Sequence, residues 1–218
     1  TPIQLTIDNL KSKYIDQIKI ENKEKYNLSL QTIIKQINQI ENLVNEFSDF
    51  ARMPKPLFKK HNLTDLVSLN LELLKKVDKS IKINLNSKID NIEIFCDHEQ
   101  ISRTVFNLIK NSIESIQQKA LKIKDFSKII DIEIIEIKDY IKLNITDSGI
   151  GFDIKDKTNF IKPYYTTKKN GSGLGLSIVN KIINDHNGSI KFLNHDKGAK
   201  IEVILPKNYE SWNINNWW

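Results

Sequence analysis

The sequence has little of what would mark a secreted, membrane-spanning or nucleic-acid-binding protein. A single cysteine, Cys96, excludes an internal disulfide framework and fits a reducing compartment, so a cytoplasmic location is expected. No apolar run approaches the ~20 residues that a bilayer-spanning helix needs. Even Ile129 to Ile137 is interrupted by Asp131, Glu133 and Glu136, so neither a signal, a membrane anchor nor membrane contact by this chain is expected. Internal repeats are lacking as well. The net charge of +6 comes from lysines scattered among asparagines and isoleucines, with no basic stripe, and nucleic acid is not an expected partner. What is present is sufficient for folding: 218 residues, 39% of them hydrophobic, can fill one large core or two small ones.

From Leu30 the residues Ile33, Ile37, Ile40, Val44, Phe47 and Ala51 follow steps of three and four, which keep one seam of a helix facing a partner. Upstream, Ile3, Ile7, Leu10 and Tyr14 are spaced alike, and the polar stretch Asp16 to Asn27 is expected to turn the chain back between the two. Such a hairpin has too little surface of its own to cover both seams. Association of two copies into a four-helix bundle would bury them, so a homodimer through the N-terminal helices is predicted. Met53-Pro54-Lys55-Pro56 ends this unit, because proline disfavours helix before it and donates no backbone hydrogen bond. The predicted divisions are 1–54, 55–207 and a tail, 208–218, with three tryptophans.

Beyond the prolines the pattern predicts a helix over Leu63 to Val77, strands near Ile81 to Leu85 and Ile92 to Phe95, and a helix from Asp97 to Lys119. A hairpin of Ile130 to Ile137 and Tyr140 to Thr146 follows, then a helix from Leu174 to His186 and a last hairpin turning at Lys197-Gly198. The fold class is α+β, a helical layer over a mixed sheet.

Three segments in this second part carry chemistry. On the helix from Asp97, the residues Ile101, Val105, Leu108, Ser112 and Ile116 make the core face, and Asn107 and Asn111 fall one turn apart beside it, flanking Lys110. Amide carbonyls there suffice for Mg²⁺ when phosphates supply the charge; alternatively both asparagines face solvent. Asp147 closes a strand before Gly149 and Gly151. Its carboxylate can accept a hydrogen bond from the exocyclic amine of adenine where guanine presents a carbonyl, unless the stretch is an ordinary turn. Gly171, Gly173 and Gly175, interleaved with Leu174 and Leu176, lead into an apolar helical pattern, so backbone amides can meet phosphate at a helix N-terminus. The spacing is neither the dinucleotide fingerprint nor a P-loop. Between the second and third segments, Phe160 to Asn170 has the composition of a lid: aromatics to anchor it, and Thr166, Thr167 and Lys168 to lie near a triphosphate. Together they read as a nucleotide pocket for ATP and Mg²⁺.

With these in order, the chain resembles the catalytic end of a bacterial sensor histidine kinase, whose ATP domain has the Bergerat or GHKL fold shared with Hsp90, gyrase and MutL. Asn107 to Asn111 resembles the N box, Asp147 to Gly151 the G1 box, Phe160 the F box and Gly171 to Leu176 the G2 box. The resemblance implies Asn111 as the direct Mg²⁺ ligand, Asn107 as its assistant, Asp147 on adenine, and Gly173 and Gly175 admitting the phosphates. Thr1 to Leu5 and Phe47 to Pro54 resemble the dimerisation hairpin of the nitrogen-regulation, NtrY-like branch. That implies transfer of the ATP γ-phosphoryl group to a histidine, then to a response regulator, in the cytoplasmic part of a larger kinase.

One departure matters. The family's phosphoacceptor lies in a His-Glu-x-x-Asn-Pro motif before Thr-Pro, roughly two helical turns upstream of Thr1, and is not in this chain. None of the four histidines replaces it. His98-Glu99 is followed by no Asn-Pro, His186 reads as a capping or packing residue, and His61 and His195 sit in expected loops. No catalytic residue and no autophosphorylation are therefore expected of this stretch. Two rivals remain. An Hsp90-like or MutL-like ATPase usually has a glutamate at the position of Asn107, and a nucleotide-sensing interaction module would need no transfer at all.

Overall fold

Apolar steps of three and four produce α1, Pro2–Tyr14, and α2, Ile20–Ala51, joined by a short 3₁₀ turn at Ile15–Gln17. The computed structural model describes residues 2–87, 91–153, 159–168, 171–196 and 198–208. The Trp-rich tail from position 209, Lys169, Asn170 and Lys197 lie outside the described residues. Two units emerge, one of Thr1–Met53 with Lys168–Ser172, the other of Pro54–Thr167 with Gly173–Trp218.

In the first unit the two helices run antiparallel. Gln4 Nε2 donates to Asn38 Oδ1 at 2.8 Å and the Tyr26 hydroxyl to the Leu10 carbonyl at 3.0 Å. The connection is much shorter than the polar stretch suggested. Glu21 to Tyr26 is solvated helix, because glutamate and lysine are strong helix formers that need no apolar seam. Ile7 and Leu30 are buried, whereas Ile3, Leu10, Tyr14, Ile33, Ile40, Val44 and Phe47 remain exposed. No helix among the described residues is long and apolar enough to cross a membrane.

The second unit is built on a five-stranded mixed sheet. Its strands are β2 (Lys82–Ser87), β4 (Ile129–Ile137), β5 (Tyr140–Asp147), β6 (Ser189–His195) and β7 (Gly198–Pro206), in the order β2-β4-β5-β7-β6. Only β2 and β4 pair in parallel. The period of two places Ile132, Ile145 and Ile201 in one cross-strand row and Ile134, Leu143 and Val203 in the next, all buried. On the other face polar groups pair with each other: Asn84 donates to Asp131 at 2.7 Å, and Lys142 meets Glu202 at 3.0 Å.

Helices α3 (Leu63–Leu74), α4 (His98–Ala120) and α5 (Gly175–Asp185) pack against one another and the sheet. The face predicted on α4, from Ile101 to Ile116, is buried. One element was not legible in the sequence: β1, Lys59–Asn62, pairs antiparallel with β3, Glu93–Cys96, in a separate two-stranded sheet. Lys-Lys-His-Asn has little strand propensity, and the strand exists because the exposed edge of β3 offers it a partner.

Candidate functional site

Asp147 is the last residue of β5, and the period of two puts it on the face of Ile141, Leu143 and Ile145, opposite Ile130. A carboxyl group thus ends a row of aliphatic side chains and is only 4% exposed. Burial there is costly unless hydrogen bonds offset it. Asp147 Oδ1 accepts from the Gly149 amide at 2.8 Å and the Ala199 amide at 3.4 Å. Burial raises its pKa above the usual carboxyl value, opposed by those two amides, the Ser112 hydroxyl and the charge of Lys119.

The turn after Asp147 is held from three sides. The Ser148 hydroxyl accepts from the Ile129 amide at 2.9 Å, while Lys119 Nζ donates to the Ser148 carbonyl at 2.8 Å. Ser115 Oγ accepts from the Ile150 amide at 3.1 Å. Asn194 clasps Phe152, accepting from its amide at 2.8 Å and donating to its carbonyl at 2.9 Å. Glycine is required at 198 by close approach: a Cβ would lie 2.3 Å from the Asp147 carbonyl oxygen. Sequence alone does not assign Ser115, Asn194 or Gly198 to the site, and includes Ser148 only within the Asp147 to Gly151 segment. Ser115 carries a signal of its own, four residues after Asn111 and so one further turn along α4.

Asn107 and Asn111 are both half-buried on α4, and Lys110 between them is exposed. Asp97 caps this helix, accepting from the Glu99 and Gln100 amides at 3.1 and 3.0 Å. Helix α5, by contrast, starts without a side-chain cap. Its first-turn amides are donors with no intrahelical acceptor, and a Cβ built on Gly175 would lie 3.7 Å from Asn107 Oδ1. A neutral amide oxygen and an uncapped helix N-terminus therefore stand side by side, an arrangement suited to a ligand carrying both anionic oxygens and a cation. Leu174 is buried just before the helix and Leu176 is half-buried within it.

Phe160 packs with Phe152 and Phe192, ring centroids 5.0 and 5.7 Å away, and Tyr165 joins at 6.1 Å. This cluster anchors the start of the lid segment. Gly173, at φ +71°, lets the chain pass the lid backbone, since a Cβ there would lie 2.5 Å from the carbonyl carbon of Tyr164. The structure thus brings together Asp147, Gly149 and Gly151 in one turn, Asn107 with Gly175, and Gly173 with the lid. Thr166 and Thr167 are exposed, and Lys168 and Gly171 fall in the unit of the N-terminal helices, joined by a bond from the Gly171 amide to the Lys168 carbonyl at 3.3 Å. A pocket of about 380 Å³ opens beside the Asp147 turn, lined among others by Lys119, Ile150, Asn194 and His195.

Comparison with known proteins identifies the family of this fold. The family profile described as histidine kinase-, DNA gyrase B-, and HSP90-like ATPase matches residues 96–209. An NtrY-like sensor histidine kinase sequence from Rickettsia typhi is 36% identical over 205 residues, 93% of this chain and 33% of the relative. The nitrogen regulation protein NtrY of Azorhizobium caulinodans is 28% identical over 207 residues, 94% of this chain and 26% of its own. The chain therefore spans about a third of the length of the NtrY-like relatives. Among solved structures, the catalytic domain of histidine kinase ThkA aligns with a TM-score of 0.62 at 25% identity, over 69% of this chain and 96% of that one. ThkA in complex with its response regulator TrrA aligns with a TM-score of 0.71 at 21% identity over 97% of this chain and 59% of that one, a likeness of fold.

Proposed function

Because the chain belongs to the family of histidine kinase-, DNA gyrase B- and HSP90-like ATPases, we propose that it is the ATP-binding catalytic portion of a sensor histidine kinase. In that reading the γ-phosphoryl group of ATP passes to an unprotonated imidazole nitrogen of a histidine, ADP leaves, and a response regulator takes the phosphoryl group next. The observation that carries the proposal is the closeness of Asn107 to the start of α5, which has no side-chain cap, in a fold whose sheet presents a buried carboxyl at Asp147.

Asp147 would accept from the adenine amine, with Gly149 and Gly151 allowing the base a close approach. Gly171, Gly173, Leu174, Gly175 and Leu176 would carry the phosphates to the N-terminus of α5, and Thr166, Thr167 and Lys168 would cover them from the lid, with Lys110 at the rim. The donor set fits Mg²⁺: Asn107 and Asn111 offer neutral oxygens, and no cluster of three metal-binding side chains occurs among the described residues, so the remaining ligands would come from phosphate and water. When bound, the ion would neutralise phosphate charge. The residues of the chain would orient the nucleotide and hold it away from water. Asparagine at position 107, where an ATPase of the Hsp90 or MutL kind usually has a glutamate, favours transfer over hydrolysis.

Residues 1–54 would dimerise through the exposed seam, and the divisions at 55–207 and 208–218 would separate the ATP domain from a tail. The thermodynamic reason for the dimer is the apolar surface left uncovered on α1 and α2. Lacking the His-Glu-x-x-Asn-Pro motif, the 218-residue chain would not phosphorylate itself. A polypeptide carrying that motif, added with labelled ATP and Mg²⁺, tests the reading. Label on the added histidine is expected, and nucleotide binding with no transfer would instead identify a nucleotide-sensing module.

A further inference from the structure

The nucleotide reading leaves one buried cluster unused. It lies where the chain enters the second unit, at residues 54–58, which have no regular secondary structure. Asp97 divides its carboxylate between two tasks. Oδ1 caps α4, as described, while Oδ2 accepts from the Leu57 amide at 2.8 Å. Gln100 Nε2 donates to the Pro54 carbonyl at 3.1 Å, a second tie between the same segment and the first turn of α4.

The Asp97 amide in turn donates to His186 Nε2 at 3.0 Å, and His186 Nδ1 lies 2.8 Å from the Ile182 carbonyl. Acceptance at Nε2 fixes the tautomer, so Nδ1 carries the proton and donates to Ile182. The ring closes the C-terminal end of α5 and faces Phe58, whose centroid is 5.0 Å away; Phe58 also stacks with Phe95 at 6.0 Å. His186 is 3% exposed, and burial holds its pKa below the ordinary histidine value against the charges of Asp97 and Asp185, in keeping with the neutral ring that the geometry requires.

We propose that Asp97 and His186 are positioning residues of the nucleotide site, clasping the Pro54–Phe58 segment to the start of α4 and the end of α5 and so setting the two helices that present Asn107, Asn111 and Gly175. The proposal rests on the nucleotide reading. Its mechanical basis is the stiffness of α4: Asn107 lies ten residues from Asp97, about 15 Å along one continuous helix. A small tilt at the cap is carried to the place where Asn107 lies beside the first turn of α5. The attachment of residue 57 is through its backbone amide, because the Leu57 side chain is 74% exposed. The state of the segment that follows the helical unit in sequence is thereby linked to nucleotide affinity.

This makes a surface position decisive. In the whole chain, Leu57→Pro removes the donor to Asp97 without touching the core, and Leu57→Ala keeps it. Calorimetric titration with ADP and Mg²⁺ should show Leu57→Pro weakened about three- to tenfold, less than the full cost of losing one hydrogen bond to a charged acceptor because the tie acts on the site only through the helices, and Leu57→Ala within about twofold of the unsubstituted protein. His186→Phe, which keeps a ring beside Phe58 but makes neither hydrogen bond, should weaken binding to a similar degree and speed exchange of the Asp97 amide in the absence of nucleotide. His186→Gln, whose side-chain oxygen can still accept, should recover part of both losses. Equal affinities for Leu57→Pro and Leu57→Ala, or an Asp97 amide in His186→Phe that exchanges as in the unsubstituted protein, would overturn the clasp. Absence of nucleotide binding by the unsubstituted chain is a separate result and overturns the nucleotide reading itself.

Discussion

The two units use the same residues, isoleucine and leucine spaced among lysines and asparagines, to different ends. In the sheet unit the period of two is answered within the chain: Ile132, Ile145 and Ile201 form a row and are buried beneath helices. In the helical unit the step of three and four is not answered, and Ile33, Ile40, Val44 and Phe47 stay exposed on α2. A sheet with one polar face needs only a layer of helices to close its core, and α3, α4 and α5 supply that layer. A pair of helices has seams on both members and too little surface to cover them. One unit closes its core within the chain and the other leaves an apolar seam uncovered.

This contrast predicts that equivalent substitutions have opposite signatures. The largest loss should follow Ile132→Ala, which empties a site at 0% exposure and should destabilise the sheet unit by about 2 to 5 kcal/mol in denaturant unfolding. A cost near that of a surface change would break the contrast. Val44→Asp should leave unfolding of the sheet unit within ~0.5 kcal/mol and yet weaken self-association at least about tenfold in sedimentation, since it places a charge in an apolar seam. Equal sedimentation of the two proteins would remove the case for dimerisation through these helices.

Inside the sheet unit, polar groups sit at the edge of a finished core. Asn111→Ala should abolish the strengthening of ATP binding by Mg²⁺ while leaving the circular dichroism spectrum unchanged; a collapsed spectrum would make Asn111 a structural residue. The smallest effect is the pH response of Asp147. Its folded-state pKa is raised, so its contribution to stability is fully present below the ordinary carboxyl pKa and is lost as pH rises through the raised one. The stability of wild type relative to Asp147→Asn should therefore fall as pH rises through that range in thermal unfolding. A rise would mean that the amides of Gly149 and Ala199 outweigh burial.

What the sequence revealed follows from the range of the interactions involved. The α4 core face and the β4–β5 hairpin are legible because each is written in local spacing, and the aromatic anchor of the Phe160 segment because it is written in composition. The start of α2 at Ile20 was not, since a solvated helix has no apolar period to read. Strand β1 was hidden because its reason for existing is the edge of β3, more than 30 residues along the chain. The site divides likewise. Asn107, Asn111, Asp147 and the glycines announce themselves by type and order, whereas Ser115, Asn194 and Gly198 come from a helix, a strand end and a strand start that meet only around the Asp147 turn.

The proposed role of Asp147 is to select adenine, so paired calorimetric titrations of ATP and GTP, with Mg²⁺, into the wild-type chain and Asp147→Asn are the decisive measurement. Wild type should bind ATP well ahead of GTP, and Asp147→Asn should bind ATP more weakly by ~1 to 3 kcal/mol, the worth of a hydrogen bond to a charged group in a buried site. Equal affinity of wild type for the two nucleotides, or ATP affinity unchanged by the substitution, would show that Asp147 does not select adenine.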